Sequence, residues 1–284
     1  MHTQKKAALG VIMIKIKLIP ITEFKRVRAA GIDKQVKLQL LADMCRANAI
    51  ATVKRAGSGH LGSSFSSLDI VTALYFAEMN IAEVGISHPD RDIYFSSKGH
   101  DVPGHYAVLY AMGLLSEERF INLRRHGGTH GHPDVSIPGI EANSGSLGMG
   151  ISKAKGMAWA KNANRAGGRV MVMTGDGELQ EGQIWEAAME ASHYELDNLI
   201  AIVDINRLIL HSESSLGSRT IEEWFEPAFF ASNFWLMWST STMPLFTTIP
   251  MRITMPIMAM RFMGVPVAMR VQKTPSEAKG TQAM

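Results

Sequence analysis

Cysteine is nearly missing from this chain, with Cys45 alone among 284 residues. An internal disulfide is therefore excluded, and a lone thiol fits a reducing compartment and a core position. Also missing is an uninterrupted apolar run of the roughly 18 residues that a bilayer requires, so no membrane association is expected. Charge of one sign is lacking: 29 Lys and Arg face 26 Asp and Glu, a formal net charge of +3, and aromatics make up only 7%. Without a basic run interleaved with aromatics, nothing points to a nucleic-acid partner. Lys5 and Lys6 precede the apolar stretch from Ala7 to Ile14, but Lys15 and Lys17 interrupt it and no small-residue cleavage site follows. The expectation is a cytoplasmic protein whose residues 1–20 form a poorly structured extension.

The richest stretch begins at Thr174-Gly175-Asp176-Gly177-Glu178-Leu179-Gln180-Glu181-Gly182 and reaches Asp204-Ile205-Asn206. Before it, Arg169 to Met173 reads as a buried strand. After it, Ile184, Ala187, Ala188 and Ala191 repeat at helical spacing, and Asn198 to Val203 reads as a second strand. A helix joining two strands in this way returns the chain in parallel, which puts Asp176 and Asn206 at the carboxyl ends of neighbouring strands. Open α/β sheets bind ligands at that rim. A carboxylate and a carboxamide are hard oxygen donors suited to Mg2+ or Ca2+, and flanking glycines let backbone approach a phosphate. Two commoner phosphate motifs fail: Gln180 occupies the third glycine position of a dinucleotide fingerprint, and Gln183-Ile184 stands where a P-loop needs Lys-Ser/Thr.

The whole run resembles the thiamine diphosphate signature in the wording of transketolases, and other segments resemble that family in the family's order. These are Gly59-His60-Leu61-Gly62, Ser97-Lys98-Gly99-His100, Gly131-His132-Pro133, and Asn143-Ser144-Gly145-Ser146-Leu147-Gly148, where Met149 replaces a frequent Gln. Three histidines at 126, 130 and 132 also invite a zinc reading, but the helix-borne spacing is absent. The likeness extends from about residue 35 to 208. It implies an α/β fold, a parallel sheet with helices on both faces, over a diphosphate-binding domain at residues 21–230.

The resemblance further implies that Asp176, Asn206 and the backbone carbonyl of Leu208 hold Mg2+, with Ca2+ a second candidate. It implies that His100, Gly145, Ser146, Leu147 and Gly177 line thiamine diphosphate and that Glu181 reaches the subunit interface. His60 and His132 are the implied catalytic residues, serving sugar hydroxyls and proton movements. The family's pyrimidine-binding domain has no room here. The expected partner is a separate C-terminal subunit carrying it, in a hetero-oligomer such as a heterotetramer that transfers a glycolaldehyde unit between sugar phosphates. The alternatives are a related thiamine enzyme using a keto acid donor and a truncated, inactive transketolase.

After about residue 230 the composition lacks acid. Residues 231–284 hold nine of the 19 methionines and one acidic residue, Glu277, while Pro244, Pro250, Pro256, Pro266 and Pro275 interrupt any long element. This aberrant tail is expected to be poorly folded and to translate a reading frame that slipped near residues 228–232.

Overall fold

Three apolar runs form the parallel centre of the sheet: β1 (Ile93–Ser96), β2 (Val170–Gly175) and β3 (Leu199–Asp204). Tyr94 pairs with Met171, and Gly175 at the end of β2 pairs with Asp204 at the end of β3. Because successive side chains point to opposite faces, Ile93, Phe95, Val170, Val172, Leu199, Ala201 and Val203 enter one core. Tyr94, Met171, Met173 and Ile202 enter another. Burial on both faces is why these strands read as continuous apolar runs.

The structure, a computed structural model, describes residues 17–204 and, beyond them, only the strand segments Leu208–Ile209 (β4), Ser212–Glu213 (β5), Trp235–Trp238 (β6) and Met258–Arg261 (β7). β4 and β5 form an antiparallel pair. β7 pairs antiparallel with β3 and β6 with β7, giving the sheet order β1-β2-β3-β7-β6. The remainder of the tail lies outside the described residues, as do Asn206 and the Leu208 side chain.

The helices are α1 (Ile21–Ala29), α2 (Lys34–Ala56), α3 (Leu61–Ala73), α4 (Ile81–Val84), α5 (Val102–Met112), α6 (Glu117–Ile121), α7 (Gly150–Ala163) and α8 (Gly182–His193). α2, α3 and α5 share the core on the Tyr94 face, and α7 and α8 fill the other. Helices thus cover both faces, as the sequence implied. None of the described helices is long and apolar enough to cross a membrane.

Two local readings change. The apolar positions Leu40, Met44, Ala47 and Ala51 suggest one buried face of α2, yet only Met44 of the four is buried. The buried stripe instead runs through Leu38, Leu41, Cys45, Ala49 and Thr52. Polar residues on that stripe hide it from a hydrophobic pattern. Asn48 is buried because its amide bonds both the N–H (2.7 Å) and the carbonyl (3.0 Å) of Ile19, while Thr52 donates to the Ala49 carbonyl at 3.0 Å. The run from Asp69 to Phe76 reads in the sequence as a helix that Asp69 leads, and the structure differs. α3 already starts at Leu61 with His60 as its N-cap, and the buried Asp69 carboxylate pairs with Arg46 on α2.

Candidate functional site

The carboxyl ends of β1, β2 and β3 meet one further loop at a common rim. β1 runs into residues 97–101 before α5, β2 into a 3-10 turn (Asp176–Gln180) before α8, and residues 143–149 lead into α7. Glycine occurs wherever these segments cross. A Cβ on Gly99 would stand 2.7 Å from the Gly145 backbone, one on Gly145 2.7 Å from the His132 ring, and one on Gly148 2.7 Å from Glu181 Cβ, while one on Gly150 would collide with Ser97 Cβ. Gly99 at φ 52° and Gly145 at φ 129° also adopt backbone that other residues seldom take.

Around this interlock stand the histidines singled out in the sequence. The rings of His60 and His100 meet edge to face with centroids 5.6 Å apart, and His132 packs on Gly145. His60 and His132 are exposed or partly so at the rim, whereas His100 is half-buried. Burial lowers the His100 pKa; Asp101 opposes that shift, and Lys98 and His60 reinforce it. The His100 imidazole is therefore held neutral near pH 7.

Asp176 follows β2 directly and is buried, with Oδ1 accepting the Gly177 N–H at 3.0 Å. Glu181 sits at the other end of the turn against Gly148, and Leu147 is exposed in the loop that follows Gly145. The structure thus brings together His60, His100, His132, Gly145, Ser146, Leu147, Asp176, Gly177 and Glu181. β4, which carries Leu208, lies against the Asp176–Gln180 turn. Among the described residues no three His, Cys, Asp or Glu side chains form a ready metal cage. A cation here would need backbone, carboxamide or ligand oxygens beside Asp176.

A charged layer beneath the rim had no counterpart in the sequence reading. Lys98 is buried, and its ammonium pairs with Asp204, lies 3.7 Å from Asp101 and donates to the Ser63 carbonyl at 3.3 Å. Burial works to lower the Lys98 pKa, but Asp204 and Asp101 overcome it and the net shift is upward, so the lysine stays charged. Ser66 donates to Asp204 at 2.5 Å and Ser96 to Asp101 at 2.8 Å. Glu178 is buried too, and burial raises its pKa against the pull of hydrogen bonds from Ser97, Gly175 and Gly148. The only trace of this layer in the sequence was Lys98 and Asp204 standing at the ends of apolar strands.

Outward from His132 opens a cavity of about 780 Å³ lined by Arg119, Arg124, Arg125 and residues 126–132, with no carboxylate among its lining residues. Arg124 links the loops bearing two of the histidines. Its guanidinium donates to Ser58 Oγ at 3.2 Å, and its backbone N–H to the Thr129 carbonyl at 2.7 Å.

Comparison with known proteins agrees with this arrangement. A family profile described as the thiamine diphosphate binding domain of transketolase matches residues 37–235. The chain is 42% identical over 172 residues to one of the named subunits of the apulose-4-phosphate transketolase of Phocaeicola vulgatus, covering 60% of this chain and 61% of that one. It is also 42% identical over 179 residues to human transketolase, covering 61% of this chain but 29% of the human protein. Among solved structures, transketolase from Leishmania mexicana superposes with a TM-score of 0.60 at 28% identity over 67% of this chain and 30% of that one. The chain therefore spans less than two thirds of each of these relatives.

Proposed function

The chain belongs to the transketolase thiamine diphosphate-binding domain family, and on that premise we propose that it is the N-terminal subunit of a split transketolase. In this reading it transfers a two-carbon glycolaldehyde unit from a ketose phosphate to an aldose phosphate. The observation that carries the reading is the convergence of His60, His100 and His132 on interlocked glycine loops beside the buried Asp176. The Phocaeicola vulgatus relative is named as one subunit of its enzyme rather than as the whole, which favours a two-subunit enzyme completed by a C-terminal subunit with the pyrimidine-binding domain.

The donors at this rim would suit a diphosphate together with a divalent cation. Asp176 would offer a hard carboxylate oxygen to Mg2+, or to Ca2+ in its place, and Asn206 and the Leu208 carbonyl would complete the protein's share. Backbone of Gly145, Ser146, Leu147 and Gly177 would approach the cofactor closely because no Cβ intrudes at the glycines. Thiamine diphosphate, when bound, supplies the stabilisation of carbanion character at the donor carbon. The chain's own work is positioning and proton handling. The imidazoles of His60 and His132 would hydrogen-bond sugar hydroxyls and exchange protons with them near neutral pH. His100, held neutral, would serve as a hydrogen-bond partner without adding charge. Glu181 would face the partner subunit, and the arginine-lined cavity beyond His132 would draw anionic sugar phosphates toward the site.

The test is a transfer assay with the chain, its C-terminal partner, thiamine diphosphate and Mg2+, offering a ketose phosphate or a 2-oxo acid as donor. Transfer from the ketose phosphate only when both subunits are present is expected. Turnover of the 2-oxo acid instead would replace the reading with a related thiamine enzyme. An assembled complex that neither binds the cofactor nor turns over would identify an inactive protein.

A further inference from the structure

Glu178 lies within the signature run, yet no role in binding or chemistry has fallen to it. Its carboxylate is 1% exposed and takes hydrogen bonds from three segments far apart in the chain. Gly175 N donates to Oε2 at 2.8 Å, Gly148 N to Oε1 at 2.8 Å, and Ser97 Oγ to Oε1 at 2.5 Å. Ser97 Oγ in turn accepts the Gly150 N–H at 3.0 Å. The Gly175 bond alone would be ordinary capping of the short turn. The bonds to Gly148 and Ser97 span 30 and 81 residues and tie the turn to two loops that also meet each other where Ser144 Oγ donates to the Ser96 carbonyl at 2.5 Å.

The three donors surround a group that can only accept. An ionised carboxylate offers two acceptor oxygens and no hydrogen, whereas a carboxamide would turn an N–H2 toward one of these donors. The loops it joins are rich in glycine, whose freedom makes ordering costly. They also have no slack at their crossings, as the Gly148–Glu181 and Gly150–Ser97 approaches show. Whatever fixes these loops fixes the gap between residues 145–147 and Asp176-Gly177, where the diphosphate would lie.

We propose that Glu178 is a positioning residue whose carboxylate clasps residues 97, 148 and 175 and so sets that gap in advance of the cofactor. The inference rests on the thiamine diphosphate reading, because the gap it sets is the proposed diphosphate site. Amide hydrogen exchange at Gly148 and Gly175, and thiamine diphosphate affinity with Mg2+, are measured on the full chain with its partner subunit for wild type, Glu178→Ala, Glu178→Gln and Ser97→Ala. The alanine variant at 178 should exchange both amides and lose affinity by about tenfold or more, the scale of losing charge-assisted hydrogen bonds. Glu178→Gln keeps one acceptor oxygen and should fall between it and wild type. Ser97→Ala, which removes one donor and leaves the turn intact, should weaken affinity less. If Glu178→Ala does not fold, the other two variants decide. A merely structural residue would lower the unfolding midpoint while leaving the affinity of folded protein and the ordering of the variants untouched; that result overturns the inference. Failure of wild type to bind thiamine diphosphate would overturn the functional reading and the cofactor half of this inference, and unchanged exchange in the variants would overturn the clasp itself.

Discussion

At the scale of single residues, the proposed function divides the site into groups that would meet substrate and groups that hold others in place. His60 and His132 stand at the rim, where sugar hydroxyls would reach them. Their replacement by alanine should lower kcat/KM of the assembled enzyme by roughly hundredfold or more while leaving thiamine diphosphate affinity near wild type. A parallel loss of cofactor binding would instead make them cofactor ligands. His105 behaves oppositely. It is buried, its Nε2 lies 2.8 Å from the Tyr75 hydroxyl, and burial drives its pKa down to about 3. The unfolded chain binds a proton that the folded core refuses, so stability should fall as pH drops below about 6.5 and level off near 3. Between pH 7 and pH 5 this group should cost about 2 kcal/mol. Urea unfolding of wild type beside His105→Gln isolates it, since the remaining titratable groups are common to both; identical pH slopes for the two proteins would refute the assignment.

At the scale of elements, glycine crossings and one buried charge cluster hold the loops at the strand ends. Gly99→Ala and Gly113→Ala form a matched pair. Both glycines have positive φ, 52° and 82°, but a Cβ at Gly113 meets nothing within 4 Å whereas one at Gly99 strikes the Gly145 backbone at 2.7 Å. Gly113→Ala should cost about 1–2 kcal/mol of strain and leave cofactor binding intact. Gly99→Ala should cost more and abolish binding; equal binding by both would show that the interlock is unimportant. Lys98→Met tests the layer below. It leaves Asp204 buried without its cation, and unfolding should report a loss of about 3–5 kcal/mol.

Much at this scale could be read from the sequence, because parallel strands buried on both faces announce themselves as apolar runs. The stripe of α2 could not, since Asn48 and Thr52 look like surface residues until their partners from Ile19 and Ala49 are in place. Lys98, Asp204 and Glu178 were hidden for the same physical reason. Charged residues are read as exposed unless the counter-charge or donors that satisfy them, here from segments 30 to 138 residues away, are known.

For the whole molecule, the motifs at His60, His100, His132, Gly145 and Asp176 were legible one by one, and the fold gathers them at one rim. Asn206 lies outside the described residues, so the second metal ligand is a proposal carried by the motif alone. Residues 231–284 are proposed to read a slipped frame. Translating the DNA around codons 225–235 in the other two frames should yield a transketolase-like continuation, and its absence from both would refute the slip. We propose that this chain carries a Mg2+-dependent thiamine diphosphate half-site anchored at Asp176. Calorimetric titration of the chain with its partner subunit tests it most directly. Saturable binding that requires Mg2+ and is lost in Asp176→Ala is the predicted result; no binding by wild type, or equal binding by Asp176→Ala, would contradict it.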